Sequence, residues 1–435
     1  MRIIDVGILL LPRIEFTLNG RFVCNGVEVS GQGSVAVNDG KVEWNGVQCD
    51  RLLFVPQEQA CSFTLKDVVI GINFHWERRE DQTFKGQLLL FVEQGRVRAV
   101  NRVDVEEYLV SVISSEMSAT SSLQLLKAHA VVSRSWLYAQ LCRASKGGSA
   151  SLCEVCNDRE LVRWYAREDH ELFDFCADDH CQRYQGITRA ANPNVVAAVG
   201  ATAGLVLVSD GEVCDARFSK CCGGVTENFA ACWENEEIPY LTAFRDSDPK
   251  SALPDLTSEQ GARHWIESVP ESFCSAPGAD VIAQVLNGYD RETADFYRWQ
   301  VCYTAEELSR LLKEKSGLDF GVVKELVPLE RGASGRIIRL QIVGSEREFT
   351  VGKELEIRRW LSPTHLYSSA FVVDKVVAPD GTASFILKGA GWGHGVGLCQ
   401  IGAAVMGDKG YDYRDILSHY YPDTELKNIG DVMRR

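Results

Sequence analysis

Between residues 389 and 403 the chain reads GAGWGHGVGLCQIGA, with glycine at every second position from Gly389 to Gly397. A period of two belongs to extended chain, in which successive side chains alternate between faces. One face is then bare backbone, and the other carries Ala390, Trp392, His394, Val396 and Leu398. A bare face lets another backbone or a flat ligand approach closely. The run fits neither GxxxxGK[ST] nor GxGxxG, so it is not a phosphate loop. A tightly packed strand and a ligand site both stay open on these residues alone.

The surroundings predict an α+β protein. Residues 1–100 are β-rich: Asn19-Gly20, Asn25-Gly26, Asp39-Gly40 and Asn45-Gly46 are hairpin signals between short β-branched runs. Residues 101–245 hold a helix pair followed by a Cys/His segment. Residues 246–300 read as an acidic insertion with its own helices. Residues 301–435 return to strands, pass through the glycine run and end on short helices. Across the chain, β-rich N- and C-terminal segments are expected to pack around the helix pair.

Net charge is −14 over 435 residues. That argues against nucleic acid or an anionic membrane as a general partner, while leaving room for a local basic cleft. No apolar run reaches the ~20 residues of a membrane-spanning helix. The N-terminus, MRIIDVGILLLPRIEFTLNG, is broken by Asp5 and ended by Pro12 and Arg13, and reads as two strands rather than a signal peptide. Either the chain stays in the cytosol or an export signal was removed before this numbering begins.

On the first helix, Val105, Tyr108, Leu109, Val112 and Ile113 form an apolar stripe that continues to Glu116 and Met117. A carboxylate at such a position is partly desolvated, which raises its pKa and prepares a general acid. The alternative is a helix-end carboxylate curling into solvent. The second helix is apolar over most of its circumference, with Ser121 and Gln124 as a capping box. Lys127 and Arg134 share one face of it and require an anionic partner, either Glu116 or a substrate, unless they snorkel.

His170, Cys176, His180 and Cys181 have the composition of a tetrahedral structural zinc site, with Cys153 and Cys156 as an alternative pair. Cys221 or Cys222, before Gly223-Gly224, is a candidate nucleophile that would make the chain a thiol hydrolase, with His394 as a candidate partner, or a residue packed in a tight turn. Trp392 is a sugar platform or a core residue.

Four segments together resemble the SpoIID/LytB family of bacterial cell-wall proteins: VDVEEYLVSVISSEMSATSSLQLLKAHAVVSRSW, DFCADDHCQRYQG, FSKCCGGVTENFAACWENEEIPYL and GWGHGVGLCQIGAAVMGDKGYDYRDILSHYY. They span residues 104–421. The resemblance implies a lytic transglycosylase acting on peptidoglycan glycan strands or fragments, or a non-enzymatic enhancer of a cell-wall amidase. It implies Glu116 as acid/base supported by Lys127 and Arg134; Trp392, His394 and Tyr240 are taken beside it as candidate substrate contacts. It further implies zinc on His170, Cys176, His180 and Cys181, and a periplasmic or cell-wall location. The interval from Cys176 to His180 is one residue shorter than in zinc-binding members. One acid/base with no partner carboxylate on its stripe predicts a reaction in which the sugar supplies its own nucleophile and leaves a 1,6-anhydro end.

Overall fold

A computed structural model describes residues 2–70, 78–118, 120–145, 153–165, 170–178, 181–188, 192–249, 251–275, 277–285 and 295–434. It is an α+β structure with β-rich ends. The N-terminal strands form most of an eleven-stranded sheet. The predicted N-terminal pair is Ile3–Leu11 and Arg13–Cys24. Three of the four hairpin signals are two-residue turns. At Asn25-Gly26, Asp39-Gly40 and Asn45-Gly46 both residues have positive φ, the geometry that matches the twist of the flanking strands. Asn19-Gly20 is instead a bulge inside Arg13–Cys24, where the pairing register shifts between Leu18 and Phe22. A Cβ on Gly20 would lie 2.7 Å from Cys61 Sγ, so close approach, not reversal of the chain, calls for glycine there.

Helix α1 (Val105–Glu116) starts at Asp104, whose carboxylate accepts from Glu106 N, and ends at the candidate acid. Helix α2 (Leu123–Ser145) follows. Its first turn is capped by Ser122 Oγ, which accepts from Leu125 N at 3.2 Å. The predicted capping box is not formed: Ser121 Oγ donates to Gln284 O, and Gln124 accepts from Tyr413 N.

The partner of Arg134 also differs from expectation. Its guanidinium is fully buried and donates through Nε and Nη2 to the two oxygens of Glu106, at 2.9 and 2.6 Å. Nη1 donates to Leu205 O (3.1 Å), and Glu106 also accepts from Gly204 N (3.3 Å). Arg134 therefore clamps α1 and α2 to the strand Leu205–Ser209, and its carboxylate partner is Glu106 and not Glu116. Lys127 lies 5.8 Å from the centre of the Tyr413 ring, against the helix Tyr413–Tyr420.

The chain then interlocks. Cys153–Cys156 and Glu160–Arg163 form one end of a five-stranded sheet whose other strands are Glu348–Gly352, Ile337–Gly344 and Val323–Arg331. The contact between the two sections is parallel, Glu160 opposite Thr350, and Arg163 reaches Glu356 at 2.9 Å. Helices Glu259–Ser268 and Ala279–Val285 occupy the acidic stretch. No helix among the described residues is long and apolar enough to cross a membrane.

Removing one member of a buried ion pair typically costs about 3–5 kcal/mol, because the other charge is left uncompensated. Glu106→Gln strands the more deeply buried partner, so it should destabilise the fold by that order. Urea denaturation checks this, and a loss below about 1 kcal/mol would mean that the Arg134–Glu106 clamp is not a main support of the helix pair.

Candidate active site

The glycine run is not the regular strand its period suggested. The strand Ala383–Ala390 takes in only the first glycine, Gly389, and Gly391, Gly393, Gly395 and Gly397 have φ of 76°, 87°, 75° and 71°. Left-handed backbone at alternate positions explains the period more strictly than a bare face does, because L side chains rarely adopt it. Close approach adds to it. A Cβ on Gly391 would lie 2.7 Å from Cys221 O, and one on Gly395 would collide with the Arg336 guanidinium. Arg336 is fully buried and donates to Gly393 O (2.9 Å from Nη2), Cys222 O (3.2 Å) and Ser334 Oγ (2.8 Å). The residues between the glycines, Trp392 and His394, thereby face a cavity of about 550 Å³.

Glu116 enters the same cavity from the end of α1, half-buried. It is the sole carboxylate among the described lining residues, which include the cations Arg183, Arg217, Lys220 and Arg358. Aromatic rings form much of the wall. Trp392 stacks on Phe296 with centroids 4.7 Å apart and meets Tyr367 edge-on at 4.9 Å. Trp233 contacts His394 edge-on, and Arg217 sits 4.4 Å above the Trp233 ring. His394 Nδ1 accepts from Val396 N (3.0 Å), and the ring makes a second backbone hydrogen bond, with Phe218. Burial, followed by the charge of Arg217, holds its pKa well below the ordinary value. His394 is thus a neutral wall residue whose two backbone bonds fix its ring.

Tyr240 lies elsewhere. Its hydroxyl oxygen accepts from Asp215 N at 3.0 Å, and it is not among the lining residues. Cys222 is buried, and its thiol contacts Asp246 and Cys274, not a histidine. Burial pushes its pKa well above the ordinary thiol value, so it does not have the environment of an activated nucleophile.

The donor atoms of His170, Cys176 and Cys181 lie within 4.8 Å of one another. One imidazole and two thiolates at that separation fit a zinc ion. His180 lies outside the described residues. Cys176 is held by the parallel pairing of Phe175–Cys176 with Val6 and Gly7, and Cys181 lines the cavity. Cys153 and Cys156 belong to the five-stranded sheet and are not part of this cluster. The cavity cations and Gln400, Trp136 and Phe296 were not singled out in the sequence. They come from segments far apart, with no local spacing to mark them.

Behind the cavity, Gln400 donates its amide N–H to His129 Nε2 (3.1 Å), which leaves the imidazole proton on Nδ1, facing Ser133 Oγ (3.2 Å). Burial, and then Lys220, lower the His129 pKa to about 3. The ordinary value, which the unfolded chain recovers, is about 6.5. Protons therefore bind the unfolded state first, and stability contributed above pH 6.5 is lost as pH falls towards 3. Between pH 6.5 and 5 this one group should withdraw roughly 1.5–2 kcal/mol. Urea titrations of wild type and His129→Gln should diverge by that amount; parallel curves would mean that His129 accepts a proton in the folded state.

Residues 93–208 match the family model described as stage II sporulation protein, and residues 227–397 match a domain of unknown function, DUF8618. The chain is 23% identical over 348 residues to stage II sporulation protein D of Bacillus amyloliquefaciens, covering 78% of each chain. It is 24% identical to an uncharacterized protein of Brachyspira hyodysenteriae, over 90% of this chain and 80% of that one. It is 26% identical to the amidase enhancer of Bacillus subtilis, over 73% of this chain and 40% of that protein. Together with the helix pair, the Cys/His segment and the glycine run in one structure, these similarities support a SpoIID/LytB family assignment.

Proposed function

We propose that this chain acts on the bacterial cell wall as a peptidoglycan lytic transglycosylase, with Glu116 as general acid and base. The names of the relatives, stage II sporulation protein D and amidase enhancer, fit a cell-wall role. The observation that carries the finer reading is the single carboxylate among the described lining residues of a large aromatic and cationic cavity. Stacked rings suit the faces of sugars, and the four cations suit an anionic glycan such as one bearing the lactyl carboxylate of muramic acid.

Ordinary glycosidases use two carboxylates, ~5–5.5 Å apart for retention or ~6.5–9.5 Å apart for inversion. With one, the substrate supplies the nucleophile. Glu116 protonates the glycosidic oxygen of the N-acetylglucosamine leaving group as the bond to the muramic anomeric carbon breaks. The muramic C6 hydroxyl forms a new bond to that carbon, and the Glu116 carboxylate takes its proton. Water is neither consumed nor incorporated. Arg134 serves this step indirectly, by fixing α1 through Glu106.

A second reading rests on the similarity to the amidase enhancer. In it the same cavity binds glycan without cleaving it, and the partner is a cell-wall amidase.

Glycan strands with and without peptides, incubated with the protein in oxygen-18 water, separate the readings. The expected products end in unlabelled 1,6-anhydromuramic acid. Glu116→Gln should fold normally and lose ~10²–10⁴-fold in rate, the usual worth of general acid–base catalysis. Labelled reducing ends would mean hydrolysis, and no cleavage by wild type would favour the enhancer.

His170, Cys176 and Cys181 would hold a structural zinc that ties the Cys/His segment beside the cavity. Zinc sites of this kind contribute directly to folding. Cys176→Ser/Cys181→Ser should lose one zinc equivalent by elemental analysis and melt at a lower temperature; unchanged zinc content would remove the metal from these residues.

A further inference from the structure

A second cluster of metal-ligating groups lies apart from the Cys/His segment. Cys222, Asp246, Cys274 and Cys399 are all buried, and one donor atom from each lies within 4.8 Å of the other three. Cys222 Sγ is 3.6 Å from Cys274 Sγ and 3.3 Å from Asp246 Oδ2. A disulfide would need ~2.05 Å. A tetrahedron with zinc–sulfur bonds of about 2.3 Å has sulfur–sulfur edges of about 3.8 Å, close to the spacing found.

The surroundings are those of ligands already held in place. Three backbone N–H groups donate to sulfur: Gly224 N to Cys222 (3.4 Å), and Cys222 N and Gly402 N to Cys399 (3.3 and 3.4 Å). Cys399 caps the helix Gln400–Asp408, whose N-terminal dipole favours a thiolate. Asp246 turns Oδ2 toward the sulfurs because Oδ1 is held by His419 Nε2 and Tyr420 Oη, each at 3.0 Å. His419 is in turn packed edge-on against Phe244 and Phe273. Hydrogen bonding of this kind to a carboxylate is what orients a metal ligand. A Cβ at Gly402 would collide with Tyr420 and come 2.7 Å from Asp246 Oδ2, so the helix start is open to the carboxylate only as glycine.

We propose that Cys222, Asp246, Cys274 and Cys399 form a buried tetrahedral site for Zn²⁺, with three thiolates and one carboxylate. Each thiol gives up its proton as its bond to the metal forms, and no electron is transferred. The ion joins four segments separated by up to 177 residues. Two of them continue directly into the cavity wall, at Ser219-Lys220 and at Gln400. The site is closed, with no position for substrate, and its role is to fix that wall. Cys221 also contacts Cys274 and Cys399, so it could replace Cys222. Cys274 and Cys399 are therefore the positions to change.

The test removes the other thiolate clusters first. In the full chain carrying Cys153→Ser, Cys156→Ser, Cys176→Ser and Cys181→Ser, about one zinc per chain should remain by elemental analysis. Co²⁺ put in its place should give a thiolate-to-cobalt charge-transfer band with tetrahedral d–d absorption. Adding Cys274→Ser and Cys399→Ser should abolish both signals. The proposal is overturned if the four-serine protein, folded by circular dichroism, binds neither zinc nor cobalt. It is equally overturned if the band survives the last two substitutions, or if peptide mapping finds Cys222 and Cys274 joined as a disulfide. Should the six-serine protein fail to fold, the cobalt spectrum of the four-serine protein decides alone.

Discussion

A guanidinium buried under a run of glycines holds the cavity wall in place. Arg336 takes the space that side chains would occupy at Gly395 and ties Gly393, Cys222 and Ser334 to one rigid fork. Burying such a charge is expensive unless every donor finds an acceptor. The acceptors here are backbone carbonyls and one hydroxyl, and a buried carboxylate, Glu227, is coupled through Ser334, whose Oγ donates to it at 2.6 Å. Glu227 also accepts from the N–H groups of Asn228, Ala333 and Ser334, while burial raises its pKa. Its own N–H donates to Gly395 O. The loop that carries Arg336 and the loop that carries Glu227 thus grip the glycine run from two sides, and Trp392 and His394 are left pointing the remaining way.

Much of this frame was legible where the signal is local. Two-residue turns at Asn25-Gly26, Asp39-Gly40 and Asn45-Gly46 depend on four neighbouring residues, and so does the start of α1 at Asp104. The apolar stripe that ran on to Glu116 pointed correctly to a half-buried carboxylate at the helix end. Reading failed where one pattern serves two geometries. Asn19-Gly20 has the composition of a turn and forms a bulge. Alternating glycine has the period of a strand and forms a left-handed zigzag. It also failed where a partner comes from far away. Helical spacing placed Lys127 and Arg134 on one face but could not say which acid Arg134 meets, because Glu106 and Glu116 stand at opposite ends of the same helix.

Charge shows the same limit at larger scale. A chain of net charge −14 gives no hint of a cavity whose described lining sets Arg183, Arg217, Lys220 and Arg358 around Glu116. The excess of acidic residues lies elsewhere on the molecule, while the low-dielectric wall of aromatic rings concentrates the field of the cations inside the cavity. Arg217 illustrates how such a cation is kept: it lies over the Trp233 ring and is anchored to Asp215 at 2.8 Å. Its charge is neutralised on one side and remains available on the other.

The cavity belongs to neither matched segment by itself. Glu116, Trp136, Cys181 and Arg183 lie within the stretch similar to stage II sporulation protein, and Phe296, Tyr367 and Trp392 lie within the stretch similar to DUF8618. Arg217 and Lys220 fall between the two, and Gln400 falls after both. The strand Glu160–Arg163, with Cys153–Cys156 paired to its other edge, crosses from the first stretch to pair with the second, and Phe218–Ser219 pairs in parallel with Leu398–Cys399. Contacts of such long sequence separation carry a loop-closure cost and slow folding. The acid, the aromatic wall and the cations are therefore brought together only by contacts between segments far apart in the chain. A substitution that loosens the crossing strands would empty the site of its geometry while leaving each matched segment largely intact, so loss of function at those positions would travel through assembly of the cavity and not through the chemistry at Glu116.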